Sequence, residues 1–160
     1  MKRAVFLDRD GVINFERGDY TWSVDHFKMN PGVPEALRYF QAKGFMLIII
    51  TNQGGIAKGI YRHSDVHVIY DTIREQLRKS GVFIDDMYYC PHHPDFTKCL
   101  CRKPLGLLLE RAIARYEINA QSSYFIGDHQ RDLLAGHAAG VKSIQIPSNS
   151  DLRLIIPQVV

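Results

Sequence analysis

The sequence predicts an α/β protein in which helices cover both faces of a mostly parallel β-sheet, a three-layer sandwich. Short, continuous apolar runs alternate along its 160 residues with segments whose apolar residues recur at helical spacing. Continuous apolar runs are typical of parallel strands that are buried on both faces. The alternation of strand and helix implies crossover connections, which parallel strands require. The length suits one domain, predicted to span residues 1–160.

The individual elements follow from these runs and from their flanking residues. Strands are predicted at 4–7, 45–50, 87–90, 123–128 and 141–147, and helices at 31–44, 64–81, 105–118 and 132–140. Pro31 and Gly44 mark the two ends of the first helix. Ser64 is predicted to cap the second helix, which closes at Gly81. No element is predicted for residues 148–160.

Composition and charge exclude several classes of protein. The chain is 46% hydrophobic and 23% charged, an ordinary globular balance. A formal net charge of +3, spread evenly, is too weak to indicate a nucleic-acid partner. The N-terminal apolar run is interrupted at once by acidic residues, and no stretch is long enough to span a bilayer. We therefore expect a cytoplasmic monomer that acts on a small molecule, without a membrane partner.

Acidic residues stand at the predicted ends of two strands. Asp8 and Asp10 follow the first strand in FLDRDG, and Asp128 and Asp132 follow the fourth in FIGDHQRD. Thr51, in ITNQ, falls at the end of a third strand. The carboxyl ends of parallel strands share one edge of the sheet, where ligands bind. Clustered carboxylates repel each other unless a cation neutralises them, and Mg²⁺ prefers such oxygen ligands. Helix or turn capping explains a single aspartate as well, but it does not explain two such pairs.

The segment CPHHPDFTKCLC, residues 90–101, contains every cysteine of the chain. Three thiolates and one imidazole form a common tetrahedral zinc set. Cys90, Cys99 and Cys101 are the candidate thiolates, and His92 and His93 compete for the fourth position. A disulfide is disfavoured by an odd number of cysteines and by a reducing compartment. Ordinary buried thiols remain an alternative to a metal site.

The motifs FLDRDG, ITNQ, RKP and IGDHQRD resemble, in order and placement, the four signature motifs of the haloacid-dehalogenase (HAD) superfamily of phosphotransferases. The resemblance covers residues 5 to about 146 and implies a HAD-like, Rossmann-like fold. The predicted sheet and helices use most of the chain, so we expect no large cap domain. An open site is then expected, bordered by the loops 14–30, 52–63 and 90–104. Tyr20 and Trp22 are candidate walls of that site.

The resemblance implies a role for each catalytic residue. Asp8 is the expected nucleophile, which forms an aspartyl-phosphate. Asp10 is the expected general acid and, in the second step, the general base. Thr51 is expected to donate a hydrogen bond to the phosphate, and Lys103 to stabilise the transferring group. Asp132 is expected to support Lys103.

The resemblance also implies a catalytic Mg²⁺ and a set of substrate contacts. The metal ligands are the Asp8 carboxylate, the main-chain carbonyl of Asp10, and Asp128. Arg102 is expected to bind a second phosphate, because a guanidinium suits bidentate contacts. The implied substrate-binding residues are Glu16, Arg17, Gly18, Asp19, Thr51, Asn52, Gln53, Gly54, Arg102 and Lys103.

The cysteine segment, read together with CLCRKP, resembles the zinc loop of the histidinol-phosphate phosphatase branch of this superfamily. The ligands of that branch carry over to Cys90, His92, Cys99 and Cys101. Four protein ligands leave no open position, so the implied Zn²⁺ is structural. Its expected role is to hold the loop that carries Arg102.

Two further stretches bear on the substrate. NQGGIAKG (52–59) and INFERGDY (13–20) resemble the heptose-bisphosphate phosphatase family. This implies hydrolysis of the 7-phosphate of D-glycero-D-manno-heptose 1,7-bisphosphate to heptose 1-phosphate, a step towards nucleotide-activated heptose for lipopolysaccharide or for glycoprotein sugars. The chain departs from the family pattern at His129, where lysine is common, and in RKPLGLL, which lacks a second proline. The alternatives are a histidinol-phosphate phosphatase of histidine biosynthesis, a DNA 3′-phosphatase and a zinc-stabilised binding module without catalysis.

Overall fold

The structure, a computed structural model, describes residues 1–160 and contains one five-stranded sheet. The strands are β1 (Arg3–Leu7), β2 (Phe45–Asn52), β3 (Asp86–Cys90), β4 (Tyr124–Gly127) and β5 (Lys142–Gln145). The α-helices are α1 (Val33–Ala42), α2 (His63–Arg78), α3 (Leu107–Tyr116) and α4 (Gln130–Ala138). Short 3₁₀ helices lie at Val24–His26, Ala120–Ser122 and Leu152–Gln158. No helix combines the length and the apolar character needed to cross a membrane.

The strand order is β3-β2-β1-β4-β5, and every neighbouring pair is parallel. The chain winds outward from β1 to β3, returns to the other side of β1 with β4, and winds outward again. The strands β1 and β4 are neighbours, and the connections that leave their carboxyl ends run to opposite sides of this strand pair, towards β2 and towards β5. Such a switch point is where open α/β sheets bind ligands. Asp8 and Asp128 directly follow these two strands.

Hydrophobic side chains fill the space on both faces of the sheet, which confirms the predicted three-layer sandwich. Val5 and Leu7 of β1 belong to a cluster of 22 buried residues with apolar side chains of α1 and α2. Ala4 and Phe6 belong to a cluster of 12 buried residues with α3 and α4. Successive side chains of a strand point to opposite faces, so one apolar run supplies both cores.

Two helices begin earlier than the sequence predicted. Helix α2 starts at His63, and Ser64 is not its cap. The Asp65 carboxylate, in the first turn of the helix, instead accepts a hydrogen bond from the main-chain N–H of Arg62 at 2.7 Å. This contact provides the N–H that precedes the helix with an acceptor. Helix α4 starts at Gln130 rather than at Asp132. The two extra residues bring the beginning of α4 to the carboxyl edge of the sheet.

The C-terminal tail, for which no element was predicted, forms the 3₁₀ helix Leu152–Gln158. Leu152 and Ile155 are buried against α1, and the Leu152 N–H donates to the Pro31 carbonyl at 3.0 Å. Residues three apart eclipse each other in a 3₁₀ helix. That period differs from both patterns used to predict helices and strands, which is why the sequence did not reveal this element.

The tail offers a test of how much the 3₁₀ helix stabilises the fold. Leu152→Ala is expected to lower the free energy of unfolding by about 2–5 kcal/mol, because it leaves a cavity beside α1. Leu154→Ala is the matched control, since Leu154 is 72% exposed and its loss should change stability by less than about 0.5 kcal/mol. Urea unfolding followed by circular dichroism measures both. Equal midpoints for the two variants would contradict the packing role of the tail.

Candidate active site

A polar cavity of about 500 Å³ opens at the carboxyl edge of the sheet. The three loops predicted to border the site contribute to it, and the first turn of α4 closes the remaining side. Only one of its lining residues is hydrophobic, which suits a polar, charged ligand. The lining residues are Asp8, Asp10, Glu16, Gly18, Asp19, Tyr20, Asn52, Gly54, Lys58, His93, Arg102, Lys103, His129 and Arg131.

The floor of this cavity is a buried ion-pair network around Lys103. Its Nζ lies 2.8 Å from Asp8 Oδ1 and 2.7 Å from Asp132 Oδ1, and it donates to the Ile50 carbonyl at 3.0 Å. Asp8 Oδ1 and the Ile50 carbonyl each accept a hydrogen bond from this ammonium, and Asp132 adds a second ion pair. Although burial lowers the pKa of Lys103, the Asp8 and Asp132 carboxylates raise it above its ordinary value. The ammonium therefore stays charged and fixes the orientation of Asp8.

Asp128 lies beside this network with both carboxylate oxygens buried and without a hydrogen-bond partner. A Cβ on Gly11 would lie 2.0 Å from Asp128 Oδ2, so glycine leaves room at this carboxylate. Asp8, Asp128 and Asp132 have oxygens close enough together to share one ion. Three acidic side chains share one buried ammonium, and the only other basic group beside them is the His129 ring, whose Nε2 lies 3.6 Å from Asp128 Oδ2. This donor set and this charge fit a hard divalent cation such as Mg²⁺.

Asp10 was predicted as a metal ligand through its main-chain carbonyl, and its side chain is engaged elsewhere. Asp10 Oδ1 accepts hydrogen bonds from Arg9 Nη2 and Asn14 Nδ2, both at 3.0 Å. Asp10 Oδ2 accepts one from Gln53 Nε2 at 3.0 Å. The carboxylate is partly exposed to the cavity, so it is placed to exchange a proton with a ligand there.

The ITNQ motif supports the site more than it lines it. Asn52 Nδ2 donates to the Lys103 carbonyl at 3.2 Å, and Asn52 Oδ1 accepts the Lys103 N–H at 3.0 Å. This amide therefore positions Lys103. Gln53 was expected to contact substrate, but it is buried and faces Asp10. Thr51 is also buried, and its hydroxyl accepts from Gln53 Nε2 at 3.0 Å.

The structure brings together the four residues that were expected to bind zinc. Cys90 Sγ lies 3.7 Å from Cys99 Sγ and 3.0 Å from Cys101 Sγ. His92 Nδ1 lies 3.5 Å from Cys90 Sγ and 3.3 Å from Cys101 Sγ. A tetrahedral Zn²⁺ with its usual bond lengths separates its ligand atoms by roughly 3.5–3.8 Å. The cluster is compatible with that ion, and its nearness to these separations favours a metal over ordinary thiols.

His93, the competing ligand, points away from the cysteines and lines the cavity. Arg102 follows the cluster directly and also lines the cavity, and its Nη1 donates to the His92 carbonyl at 3.1 Å. A Cβ on Gly54 would lie 3.1 Å from both Arg102 Nη1 and His93 Cδ2. The cysteine cluster, the guanidinium and the loop after β2 are therefore packed as one wall.

Only part of the loop that was expected to bind the sugar lines the cavity. Glu16, Gly18 and Asp19 line the cavity, whereas Arg17 is exposed and lies outside it. Of the two candidate wall residues, Tyr20 lines the cavity. Trp22 does not, because its ring packs on His26 at 5.4 Å. Asn149 of the tail, which the sequence did not reveal, holds this loop by hydrogen bonds to the Glu16 N–H at 2.6 Å and carbonyl at 3.1 Å.

Three cationic side chains of the lining were not predicted as site residues: Lys58, His129 and Arg131. Lys58 Nζ also lies 5.3 Å from the Tyr20 ring centre. The sequence prediction placed His129 and Arg131 in a loop before a helix that starts at Asp132. Because α4 starts at Gln130, these two residues lie at the beginning of the helix and line the cavity. Lys58 lies in NQGGIAKG (52–59), and the resemblance of that stretch was the signal for its role.

The fold and the buried Asp8–Lys103 pair define a phosphohydrolase of the HAD type. A family model described as HAD-hydrolase-like matches residues 100–153. A D-glycero-beta-D-manno-heptose-1,7-bisphosphate 7-phosphatase from Haemophilus ducreyi is 40% identical over 148 residues, which cover 89% of this chain and 81% of that protein. The chain therefore belongs to the heptose-1,7-bisphosphate 7-phosphatase family of the HAD superfamily.

Other relatives extend the comparison. A D-glycero-alpha-D-manno-heptose-1,7-bisphosphate 7-phosphatase from Campylobacter jejuni is 38% identical over 142 residues, with 89% of this chain and 80% of that protein covered. The crystal structure of D,D-heptose 1,7-bisphosphate phosphatase from B. bronchiseptica, complexed with magnesium and phosphate, matches with a TM-score of 0.86 at 30% identity. That match covers 99% of this chain and 87% of the other. Relatives thus include enzymes named for either anomer.

Burial gives the site a pH dependence that Mg²⁺ should counter. Burial, opposed by Lys103 and reinforced by Asp132, raises the pKa of Asp8 from 3.8 to about 8. A raised pKa means that the contribution of Asp8 to stability is fully present below 3.8 and is lost as pH rises to about 8. Mg²⁺ requires the carboxylate form, so it should raise the melting temperature more at pH 8 than at pH 6.

Thermal melts with and without Mg²⁺ at the two pH values measure this effect. Asp8→Asn is the control, because it removes the titrating group and should abolish the difference between pH 6 and pH 8. A Mg²⁺-induced shift of the same size at both pH values in the unmutated protein would contradict the prediction.

The histidine pair tests the metal cluster. His92→Ala is expected to remove a ligand and to lower zinc content well below one ion per chain, measured by elemental analysis after dialysis. His93→Ala should keep its zinc, because that ring lies outside the cluster. The opposite result, zinc lost only in His93→Ala, would show that the ligand is misassigned.

Proposed function

We propose that the chain is a Mg²⁺-dependent phosphatase that hydrolyses the 7-phosphate of D-glycero-D-manno-heptose 1,7-bisphosphate and releases heptose 1-phosphate. The single observation that carries this proposal is the buried Asp8–Lys103 pair beside the unpartnered Asp128, at the floor of a polar cavity. The activity named for the Haemophilus ducreyi and Campylobacter jejuni relatives supports the choice of substrate.

Asp8 is the proposed nucleophile. Its Oδ1 is held by Lys103 Nζ and by the Arg9 N–H, both at 2.8 Å, which fixes the plane of the carboxylate before substrate arrives. Attack on phosphorus forms the bond from Asp8 to the phosphoryl group and breaks the bond to the C7 oxygen of the sugar. Preorganisation of this kind lowers the barrier because little reorientation remains to be done.

Asp10 is the proposed acid and base. In the first step it gives its proton to the departing C7 oxygen, which leaves as an alcohol. In the second step the Asp10 carboxylate takes a proton from water, and that water attacks the phosphorus of the aspartyl-phosphate. Inorganic phosphate leaves, Asp8 is regenerated as a carboxylate, and Asp10 is again protonated.

Asp8, Asp128 and the main-chain carbonyl of Asp10 would hold Mg²⁺. When bound, the ion neutralises charge between the anionic nucleophile and the anionic phosphate. Asp132 stays with Lys103 and with the His129 N–H, which it accepts at 3.1 Å. It therefore acts as a support of the site, the role the sequence predicted for it.

The remaining phosphate and the sugar would occupy the upper cavity. Arg102 supplies a guanidinium there, and the cysteine cluster with a bound Zn²⁺ would hold that side chain in place. Glu16 and Asp19 offer carboxylates that suit sugar hydroxyls. A polar sugar bisphosphate is also consistent with the cytoplasmic location expected from the sequence.

The nucleophile is tested by Asp8→Asn. Loss of the attacking carboxylate should reduce kcat by roughly 10³-fold or more, because the covalent step is removed. Phosphate release from heptose bisphosphate measures it. Asp71→Asn, at a carboxylate that is 73% exposed on α2, is the control and should leave kcat unchanged. Turnover near the unmutated rate in Asp8→Asn would overturn the mechanism.

The substrate is tested by steady-state kinetics on three compounds side by side. The α- and β-anomers of heptose 1,7-bisphosphate should both give a higher kcat/KM than histidinol phosphate, because Lys58, Arg102 and Arg131 of the cavity lining offer contacts for a second phosphate. A kcat/KM that favours histidinol phosphate would reassign the substrate while leaving the phosphatase chemistry intact.

A further inference from the structure

The proton-exchanging carboxylate of the site is held differently on its two oxygens. Asp10 Oδ1 accepts from Arg9 Nε at 3.3 Å, from Arg9 Nη2 at 3.0 Å and from Asn14 Nδ2 at 3.0 Å. Asp10 Oδ2 accepts only from Gln53 Nε2, also at 3.0 Å. The crowded oxygen has little room for a proton or a ligand. Proton exchange therefore falls to Oδ2, and Gln53 is the group that sets its direction.

The amide of Gln53 has a defined orientation. One Nε2 hydrogen goes to Asp10 and the other to Thr51 Oγ1, at 3.0 Å each, while Oε1 accepts the Tyr61 hydroxyl at 2.5 Å. Burial raises the pKa of Tyr61 above its ordinary value, so this hydroxyl remains a donor. A rotated amide would place its oxygen against the Asp10 carboxylate and its NH₂ against the donating hydroxyl. Tyr61 thus makes the observed orientation the favourable one.

Tyr61 also touches the wall of the cavity. It is buried, and its ring meets the Tyr20 ring edge-on at 5.6 Å between centroids. A Cβ on Gly55 would lie 2.1 Å from Tyr61 Cε1, so the absence of a side chain at Gly55 lets the ring lie against the main chain. The hydroxyl and the ring of Tyr61 therefore have separate contacts, one towards Asp10 and one towards the substrate wall.

We propose that Tyr61 and Gln53 are positioning residues for acid–base catalysis, in which the Tyr61 hydroxyl fixes the Gln53 amide and the amide aims Asp10 Oδ2 at the leaving oxygen and at water. Neither side chain touches substrate in this scheme, and both are buried beneath the cavity. The inference rests on the proposed function, because it requires Asp10 to be the acid and base.

Three variants test the chain of contacts. Gln53→Met keeps the length of the side chain but removes both donors, and kcat on heptose bisphosphate should fall roughly 10- to 100-fold, the effect of a hydrogen bond to a charged group. Tyr61→Phe keeps the ring and the wall, and kcat should fall roughly 3- to 10-fold with KM within about twofold. The double variant should match Gln53→Met alone, because Tyr61 acts only through Gln53. Tyr70→Phe, at a hydroxyl on α2 without a hydrogen-bond partner, is the control and should not change kcat.

A second substrate separates positioning of Asp10 from a general loss of structure. p-Nitrophenyl phosphate releases a stabilised anion, so formation of the aspartyl-phosphate needs no proton from Asp10. In Gln53→Met and Tyr61→Phe the first equivalent of p-nitrophenolate should appear at the unmutated rate, and later turnover, which needs Asp10 as base, should be slow. A merely structural defect would slow both phases equally, and that result would overturn the inference.

Asp10→Asn, in the same assays, distinguishes the two levels of the proposal. Its full activity on heptose bisphosphate would refute the acid–base role of Asp10 and hence the proposed mechanism. An inactive Asp10→Asn together with unaltered Gln53→Met and Tyr61→Phe would keep that mechanism and refute the positioning role alone.

Discussion

The ammonium of Lys103, enclosed by the carboxylates of Asp8 and Asp132, is the interaction on which the rest of the site depends. A buried charge costs several kcal/mol unless it is paired and hydrogen-bonded, and this one has two ion-pair partners and two hydrogen-bond acceptors. Those partners come from the end of β1, from Ile50 of β2 and from α4, so one side chain ties three elements together. The pairing leaves out Asp128, whose carboxylate accepts no hydrogen bond and has only the His129 ring nearby, with Nε2 3.6 Å from Oδ2. Three buried acidic side chains that share one ammonium are stabilised by a bound cation and destabilised without one. Their negative charge therefore takes part in the chemistry of the site.

The proximity of the cysteine cluster to Lys103 follows from the same requirement. Residues 91–106 contain no helix or strand, so few regular hydrogen bonds hold them. A loop of this kind loses too much conformational entropy on ordering to place a buried lysine by itself. A metal would close the loop just before Lys103 if it were bound by the cluster Cys90, His92, Cys99 and Cys101. From β2, Asn52 forms hydrogen bonds with the main chain of Lys103. Cluster and amide hold the same residue from two sides, which explains why soft ligands lie beside a phosphate site without taking part in its chemistry.

Much of this arrangement could be predicted from the sequence, because apolar runs that end in acidic residues reveal both the parallel strands and the edge where their ends meet. Asp8 and Asp128 were predicted in this way, whereas Cys90, His92, Cys99 and Cys101 were predicted from the cysteine-rich segment and its resemblance to a zinc loop. The directions in which individual side chains point could not be predicted from the sequence. Successive side chains at a strand end point to opposite sides, so Gln53 turns under Asp10 while Asn52 turns to Lys103, and no pattern in NQGG distinguishes them. Asn149 was not predicted for a related reason. It forms hydrogen bonds with the main-chain N–H and carbonyl of Glu16, and any residue at position 16 would offer these two groups.

The absence of a large cap gives the hydrogen-bond network around Asp10 a further significance. Many enzymes complete their catalytic groups by closing a lid, which also excludes water. Here three loops and the first turn of α4 border the cavity and no large cap covers it, so the body of the domain has to hold the acid and base in place. Arg9 and Asn14 fix one oxygen of the carboxylate, and Gln53 fixes the other from below. These donors are themselves buried and anchored, Arg9 to the Thr21 carbonyl and Gln53 to Tyr61. A rigid network beneath the cavity thus supplies the alignment that a moving cap would otherwise provide, and it leaves the upper cavity free to be shaped by the substrate loops.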